Sequence, residues 1–227
     1  MSSLLANGVP NEADETQRKS YVTYTFPVSS SIWGDRSVTT LESRAILSSS
    51  GTTGLRTWEA ALHLGNYLSS IGWDHIRDKH VLELGAGTGV LSILCAKYLN
   101  ARQVAATDGN EGIVSALREN IFVNGLEGDS RIESLVLRWA SSLNETTFAD
   151  ESAFDVILGA DVVREALPCQ QFLPKSLACS VSPKNNGSLI NADVRRKRNR
   201  PPGLNVERIV GIERCGRRVD RRYYTQQ

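Results

Sequence analysis

Gly85, Gly87 and Gly89 stand at alternate positions, directly after the apolar stretch Val81-Leu82-Glu83-Leu84 and directly before Val90-Leu91-Ser92-Ile93-Leu94. Glycines so placed, between a buried strand and a helix start, give a backbone that can take positive φ and approach a ligand closely at a helix N-terminus. The spacing is G-x-G-x-G with Glu83 two residues ahead, which is not the G-x-G-x-x-G of a dinucleotide site. Asp108 follows about twenty positions after the first glycine, where a carboxylate can accept both hydroxyl protons of a ribose. Trp139 offers a flat apolar face on which a base can stack. Ala160-Asp161 sets a small residue beside an acid at the end of another apolar run, and Trp58 falls in a helical first turn after a Gly-containing stretch, where an aromatic can meet a charged ligand end. Taken singly, each has a plain alternative: a ligand-free turn for the glycines, a turn or N-cap acid for Asp108, a turn cap for Asp161, a core anchor for Trp58.

The elements that must carry these residues follow from periodicity. Gln103–Asp108, Arg131–Leu137 and Phe154–Asp161 read with Val81–Leu84 as short buried strands, each ending on one of the candidate groups. A helix opening in 51–64 should run to about Ser70 on an apolar face of Trp58, Ala61, Leu62, Gly65 and Leu68. A second passes through Ile93, Leu94, Ala96 and Leu99. A third spans 111–123 through Ile113, Val114, Leu117, Ile121 and Phe122, and is closed by Asn124-Gly125. Four strand ends then converge on one pocket in the order a doubly wound sheet requires, since ligands in such sheets bind at the carboxyl ends of the strands.

Outside that core, residues 1–20 are polar and expected to be poorly ordered. Tyr21–Phe26 reads as a strand ended by Pro27, and Trp33-Gly34 with Val38–Leu41 as a second strand or hairpin; an accessory cap over the site is the expectation for these pieces. Ser48–Gly51 is a loop, and His63 a surface or packing residue. Beyond Arg164 the pattern is atypical: Pro168, Pro174 and Pro183 interrupt an expected helix. Ser188–Ala192 looks like a core strand and Leu204–Ile209 like another.

With 41% hydrophobic and 22% charged residues in 227, the chain has the composition of one globular α/β domain with an N-terminal extension, and global disorder is excluded. Net charge is +1, but residues 195–222 hold eleven Arg or Lys against three acids, an excess of +8 that leaves −7 elsewhere. Cys95, Cys169, Cys179 and Cys215 form no C-x-x-C pair, which argues against a zinc site and for a reducing compartment. No signal peptide or membrane-length apolar window stands out, so the expectation is a cytoplasmic protein with no membrane association, acting as a monomer.

The stretches Gly54-Leu55-Arg56-Thr57-Trp58-Glu59-Ala60-Ala61, Glu83-Leu84-Gly85-Ala86-Gly87-Thr88-Gly89, Leu137-Arg138-Trp139 and Gly159-Ala160-Asp161-Val162-Val163 together resemble the lysine-specific protein methyltransferases of the seven-β-strand class. Within them the chain looks most like the fungal enzymes that modify a lysine of translation elongation factor 2, over roughly residues 38–163. The resemblance implies an α/β fold with a Rossmann-like, doubly wound, mostly parallel sheet (class I methyltransferase), and S-adenosyl-L-methionine as cofactor. It implies contacts to that cofactor from Trp58, Gly85, Ala86, Gly87, Asp108, Trp139 and Ala160, with Glu83 acting through water on the methionine amine. Asp161 is the candidate to orient the acceptor amine as the catalytic residue, and no metal is implied. Expected boundaries are an N-terminal extension over 1–50, the cofactor-binding core over 51–194 and a basic tail over 195–227.

The chain departs from this pattern in two places. Arg138 stands where many class I enzymes have an acid for the adenine amino group, and Asp161-Val162-Val163-Arg164 replaces the usual Asp-x-x-Tyr or Asp-x-x-Phe. Three other readings compete with protein-lysine methylation. Arg195-Arg196-Lys197-Arg198 and the pairs Arg217-Arg218 and Arg221-Arg222 suit phosphate, hence an RNA methyltransferase, although the Asn/Asp-Pro-Pro-Tyr/Phe signature of base-amine enzymes is not at 160–163. A catalytically inactive binding module is the second. A small-molecule methyltransferase, compatible with the core motifs, is the third.

Overall fold

The computed structural model describes residues 19–28, 34–43, 53–138, 154–161, 188–196, 206–214 and 217–223. Trp33, the loop 48–51, Trp139, Val162–Arg164 and the prolines at 168, 174 and 183 lie outside the described residues, as do residues 1–18. Strands β1 (Lys19–Phe26) and β2 (Arg36–Ser43) form an antiparallel pair of their own. The chain continues through α1 (Glu59–Ser70), β3 (His80–Leu84), α2 (Val90–Tyr98), β4 (Gln103–Asp108), α3 (Glu111–Val123), β5 (Ile132–Val136), β6 (Val156–Ala160), β7 (Ser188–Arg196), β8 (Val206–Arg214) and β9 (Arg217–Tyr223).

The seven strands β3 to β9 make one sheet in the order β5-β4-β3-β6-β7-β8-β9. All pairs from β5 to β7 are parallel, and β8 and β9 are added antiparallel at the far edge. Winding runs outward from β3 through β4 to β5, then returns to β6 on the other side of β3. That reversal opens a crevice at the carboxyl ends of β3 and β6. The strands alternate between two buried faces: Val81, Val104, Ala106, Val156 and Leu158 face the larger core with α1, α2 and α3, while Leu82, Ala105 and Ile157 face a smaller one. Burial on both sides explains the near-continuous apolar runs of β3, β4 and β6. Residues 90–96 of α2 are buried throughout, because this helix lies between the sheet, α1 and the hairpin.

The expected domain boundary at 194 falls inside β7, and the stretch expected as a basic tail contains two strands of the main sheet. The hairpin also differs from expectation. It does not cap the site but packs behind the helices, with Phe26 and Val38 buried in the larger core. The ring of Phe26 occupies the space beside Gly65, where a Cβ would come within 2.4 Å of it. That contact turns the buried stripe of α1 onto Ala60, Leu64, Gly65 and Leu68 and leaves Trp58, Ala61 and Leu62 half-buried.

Two asparagines attach the hairpin to α3. Asn124 accepts from the Thr39 amide at 3.0 Å and donates to the Thr39 carbonyl at 2.6 Å, while Asn120 accepts from the Leu41 amide at 2.7 Å. Four helical residues rise about 6.0 Å and two strand residues about 6.7 Å, so side chains four apart on a helix meet every second residue of a strand. The free edge of β2 is thereby paired by side chains in place of another strand, which removes an exposed edge.

Candidate functional site

At the carboxyl ends of β3, β4, β5 and β6 lies a cavity of about 920 Å³. Its floor is the turn between β3 and α2. Gly85, Gly87 and Gly89 have φ of 61°, 56° and 81°, values that glycine adopts without penalty. The turn is fixed by its own backbone: the Ala86 amide donates to the Thr107 carbonyl at 2.8 Å and the Gly89 amide to the Ala86 carbonyl at 2.8 Å. Gly87 also donates its amide to Asp108 Oδ2 at 3.3 Å, and Asn110 donates to Oδ1 at 3.1 Å. Each carboxylate oxygen can accept about two bonds, so Asp108 retains acceptor capacity toward the cavity it lines. Burial raises the Asp108 carboxyl above its ordinary range, against the pull of the Asn110, Gly87 and Gly109 amides.

Glu83 is buried in the same floor at 2% exposure. Its Oε2 accepts from the Ser92 amide at 2.9 Å and from the Ser92 hydroxyl in a short contact. Burial pushes its carboxyl up to about 7; the Ser92 bonds oppose the rise, and the charge of Asp108 adds to it. The floor therefore carries two neighbouring acids, one deep and one at the surface of the cavity.

One side wall is the segment 53–58. Trp58 is the N-cap of α1 in extended conformation, donates Nε1 to the Thr53 carbonyl at 3.2 Å and lies under the Arg56 guanidinium, 5.8 Å from its ring centroid. Thr57 meets Thr88 of the glycine turn, hydroxyl to hydroxyl at 2.6 Å. On the far side stand Leu137, Arg138, Ala160 and Asp161. Arg138 turns outward to Glu111 at 2.8 Å, consistent with its lacking any acceptor to offer a base. Asp161 closes β6 with φ 57°, a left-handed conformation that aspartate tolerates better than most residues and that tends to be kept at functional positions.

Of the eight residues singled out from the sequence, Trp58, Gly85, Ala86, Gly87, Asp108, Ala160 and Asp161 all line this cavity; Trp139 lies outside the described residues. Sequence reasoning assigned no role to Arg56, Thr57 or Thr88, which also line it. The donor set suits a ligand with a diol and a charged end: a carboxylate at the tip of β4, a backbone cradle in which a Cβ at Gly87 would stand 3.1 Å from the Gly54 carbonyl oxygen, and an indole beside it.

A family model described as lysine methyltransferase matches residues 44–200, a span that contains every described residue lining the cavity. The chain belongs to the lysine methyltransferase family. Among curated relatives of this family, protein-lysine N-methyltransferase EFM3 of Chaetomium thermophilum is 46% identical over 165 residues, which are 71% of this chain and 49% of that protein. Protein-lysine N-methyltransferase EEF2KMT of Mus musculus is 35% identical over 138 residues, 56% of this chain and 39% of that protein. The chain thus spans half or less of the length of these relatives. Among solved structures, an arsenic (III) S-adenosylmethionine methyltransferase from Chlamydomonas reinhardtii is similar over 54% of this chain and 42% of that chain, with 21% identity and a TM-score of 0.42. No described helix of this lysine methyltransferase family member is long and apolar enough to cross a membrane.

Proposed function

We propose that this chain binds S-adenosyl-L-methionine in the cavity at the strand ends and methylates a lysine of a protein, with translation elongation factor 2 as the substrate. The observation that carries this reading is the meeting of the glycine turn, Asp108 and Ala160-Asp161 around one cavity in a chain of the lysine methyltransferase family. The choice of elongation factor 2 rests on the resemblance carried by the Thr57-Trp58-Glu59-Ala60-Ala61 helix opening and the strand-end motifs.

When bound, the cofactor supplies a methyl group on a sulfonium, ready for in-line attack by an amine. The chain's residues do the rest. Asp108 accepts from the ribose hydroxyls, and the turn 85–89 brings backbone close to the methionine end. Glu83, which lines the cavity floor, would act on the amine of that end through water. Ala160, with no side chain beyond Cβ, leaves room for the approach of the acceptor. A lysine arriving there must be neutral, and the loss of solvent around it lowers its pKa toward that state. Asp161 then orients the amine by accepting a hydrogen bond from it. Alignment supplies most of the acceleration, so no strong base is needed.

The direct test is incubation of the purified chain with elongation factor 2 and radioactive S-adenosylmethionine, followed by mass spectrometry to locate the modified lysine. Methyl incorporation on one lysine is expected; no incorporation with cofactor bound would remove the substrate assignment. Asp161→Ala should lower turnover at least about tenfold, roughly 1.4 kcal/mol of barrier, while calorimetry shows unchanged affinity for S-adenosylhomocysteine. Full turnover in that variant would remove Asp161 from the mechanism.

A further inference from the structure

Glu42 lies near the end of β2, outside the cavity, and is 5% exposed. Its carboxylate accepts four hydrogen bonds. Thr40 and Thr57 donate their hydroxyls to Oε1, both at 2.6 Å, while Tyr24 donates its hydroxyl and Thr57 its amide to Oε2, both at 3.2 Å. Burial and the charge of Glu42 push the Tyr24 hydroxyl up to about 12, so it stays a donor. Every partner presents a proton. An ionised carboxylate accepts on both oxygens, whereas an amide would turn one NH₂ group against donors.

The network does not stop at the hairpin. Thr57 has one hydroxyl proton, and Glu42 takes it. The 2.6 Å contact between Thr57 and Thr88 is therefore donated by Thr88, and the bonds run in one direction, from Thr88 to Thr57 to Glu42. Thr57 and Thr88 lie on two different walls of the cavity, the segment 53–58 and the glycine turn. Beside them the Gly54 carbonyl packs on Gly87. No side chain caps the N-terminus of α1, whose N-cap is Trp58. The ties of segment 53–58 to the hairpin are Glu42, fifteen positions upstream of Thr57, and the Ser43 amide, which donates to the Leu55 carbonyl at 2.9 Å.

We propose that Glu42 is a positioning residue for the cofactor cleft: by holding Thr57, and Thr88 through it, the hairpin carboxylate sets the spacing between Trp58 and the glycine turn. The inference rests on the cofactor reading given above. It makes Glu42 of β2 part of the binding machinery, although this residue does not line the cavity.

Calorimetry of the full chain with S-adenosylhomocysteine, paired with thermal unfolding, tests it. Glu42→Gln and Thr57→Val should each weaken binding about tenfold, which is about 1.4 kcal/mol, and the double variant should be no weaker than either alone. Tyr24→Phe also removes a bond to Glu42 but leaves Thr57 held. It should lower the unfolding temperature and keep affinity within about twofold. A role in stability alone predicts instead that affinity follows unfolding temperature across all three variants, and that result would overturn the proposal. So would wild-type affinity in both Glu42→Gln and Thr57→Val. If Glu42→Gln does not fold, Thr57→Val and Thr88→Val carry the same comparison with Tyr24→Phe. A wild-type chain that binds no S-adenosylhomocysteine would remove the proposed function and this inference together; a wild type that binds, with unaffected variants, would remove only this inference.

Discussion

The two walls of the cleft are built by different means. The glycine turn and the tips of β3 and β4 are held mainly by backbone: the Ala86 and Gly89 amides donate to the Thr107 and Ala86 carbonyls, and the Gly87 amide to the Asp108 carboxylate on the adjacent strand. The opposite wall, 53–58, has one backbone bond to the hairpin, from the Ser43 amide to the Leu55 carbonyl at 2.9 Å, and is otherwise held by side chains from far away in the chain, Glu42 on Thr57 and Thr88 on Thr57. A wall made of backbone bonds is insensitive to most side chains but intolerant of a Cβ in the wrong place. A wall made of side-chain bonds can be lost to a single polar substitution outside the cavity. Four variants separate these modes.

The largest effect is expected at Asn120, which ties the hairpin to the glycine turn. Its amide accepts from Leu41 of the hairpin and donates to the Thr88 carbonyl of the turn at 2.9 Å, at 1% exposure. Asn120→Ala leaves the buried Thr88 carbonyl and the half-buried Leu41 amide without these partners, the first costing about 1–3 kcal/mol and the second less, so a loss of about 2–4 kcal/mol is expected in denaturant unfolding. Hydrogen exchange at the Leu41 amide should accelerate with it. A loss below about 1 kcal/mol would mean that the hairpin attachment does not brace the site.

Next is the acid in the floor. Because burial raises the Glu83 carboxyl from 4.5 to about 7, the folded state holds this proton more tightly than the unfolded chain. Stability from Glu83 is then present below the unfolded value and is lost as pH rises through about 7, by on the order of 3 kcal/mol. Glu83→Gln cannot titrate, so its stability relative to wild type should climb by that amount between pH 4.5 and 8. Asp108, also raised by burial, and the Cys95 thiol, pushed up by burial and by the charge of Glu83, face the same acid and remain in both proteins, which is why the difference between the two is the informative curve. A difference independent of pH would show that Glu83 is not held in its neutral form. At pH 8 the same variant should bind S-adenosylhomocysteine more weakly if the carboxylate serves the methionine end.

The backbone-held wall was legible in the sequence; of the side-chain-held wall Trp58 was legible, and the bonds that hold it were not. Strands 103–108, 132–136 and 156–160 and the helix 111–123 lie within a residue or two of where periodicity and the Gly and Asn stops put them. Their contacts are close in sequence or are the register of neighbouring parallel strands. Periodicity failed where a distant element intervened. Phe122 fits the helical repeat yet is 61% exposed, while its neighbour Ile121 takes the core position. The stripe on α1 turned because Phe26 packs against Gly65 and the cavity claims Trp58 and Ala61. Glu42, Thr57 and Thr88 look in sequence like polar residues of a solvated strand and turn. One sign was available in Asn120 and Asn124, two amides four residues apart on an otherwise apolar helix face. The Arg-rich 217–223 resembled solvated charge, whereas charged residues are also common on a strand at a sheet edge, and β9 is one.

The smallest expected effect is also the one that best separates strain from contact. At Gly87, φ is 56° and an added Cβ would stand 3.1 Å from the Gly54 carbonyl oxygen; at Gly125, φ is 73° and nothing lies within 4 Å. Gly87→Ala and Gly125→Ala therefore share the left-handed penalty, about 1–2 kcal/mol in unfolding free energy, and differ only in what the methyl group meets. The Gly54 carbonyl belongs to the side-chain-held wall, so the methyl at 87 must push the two walls apart, while the one at 125 touches nothing. Gly87→Ala should consequently lose affinity for S-adenosylhomocysteine in addition to stability, and Gly125→Ala stability alone. Equal affinity in the two variants would show that the packing of Gly54 on Gly87 does not set the cleft, leaving the hydroxyl pair Thr57 and Thr88 as the contact that holds the walls together.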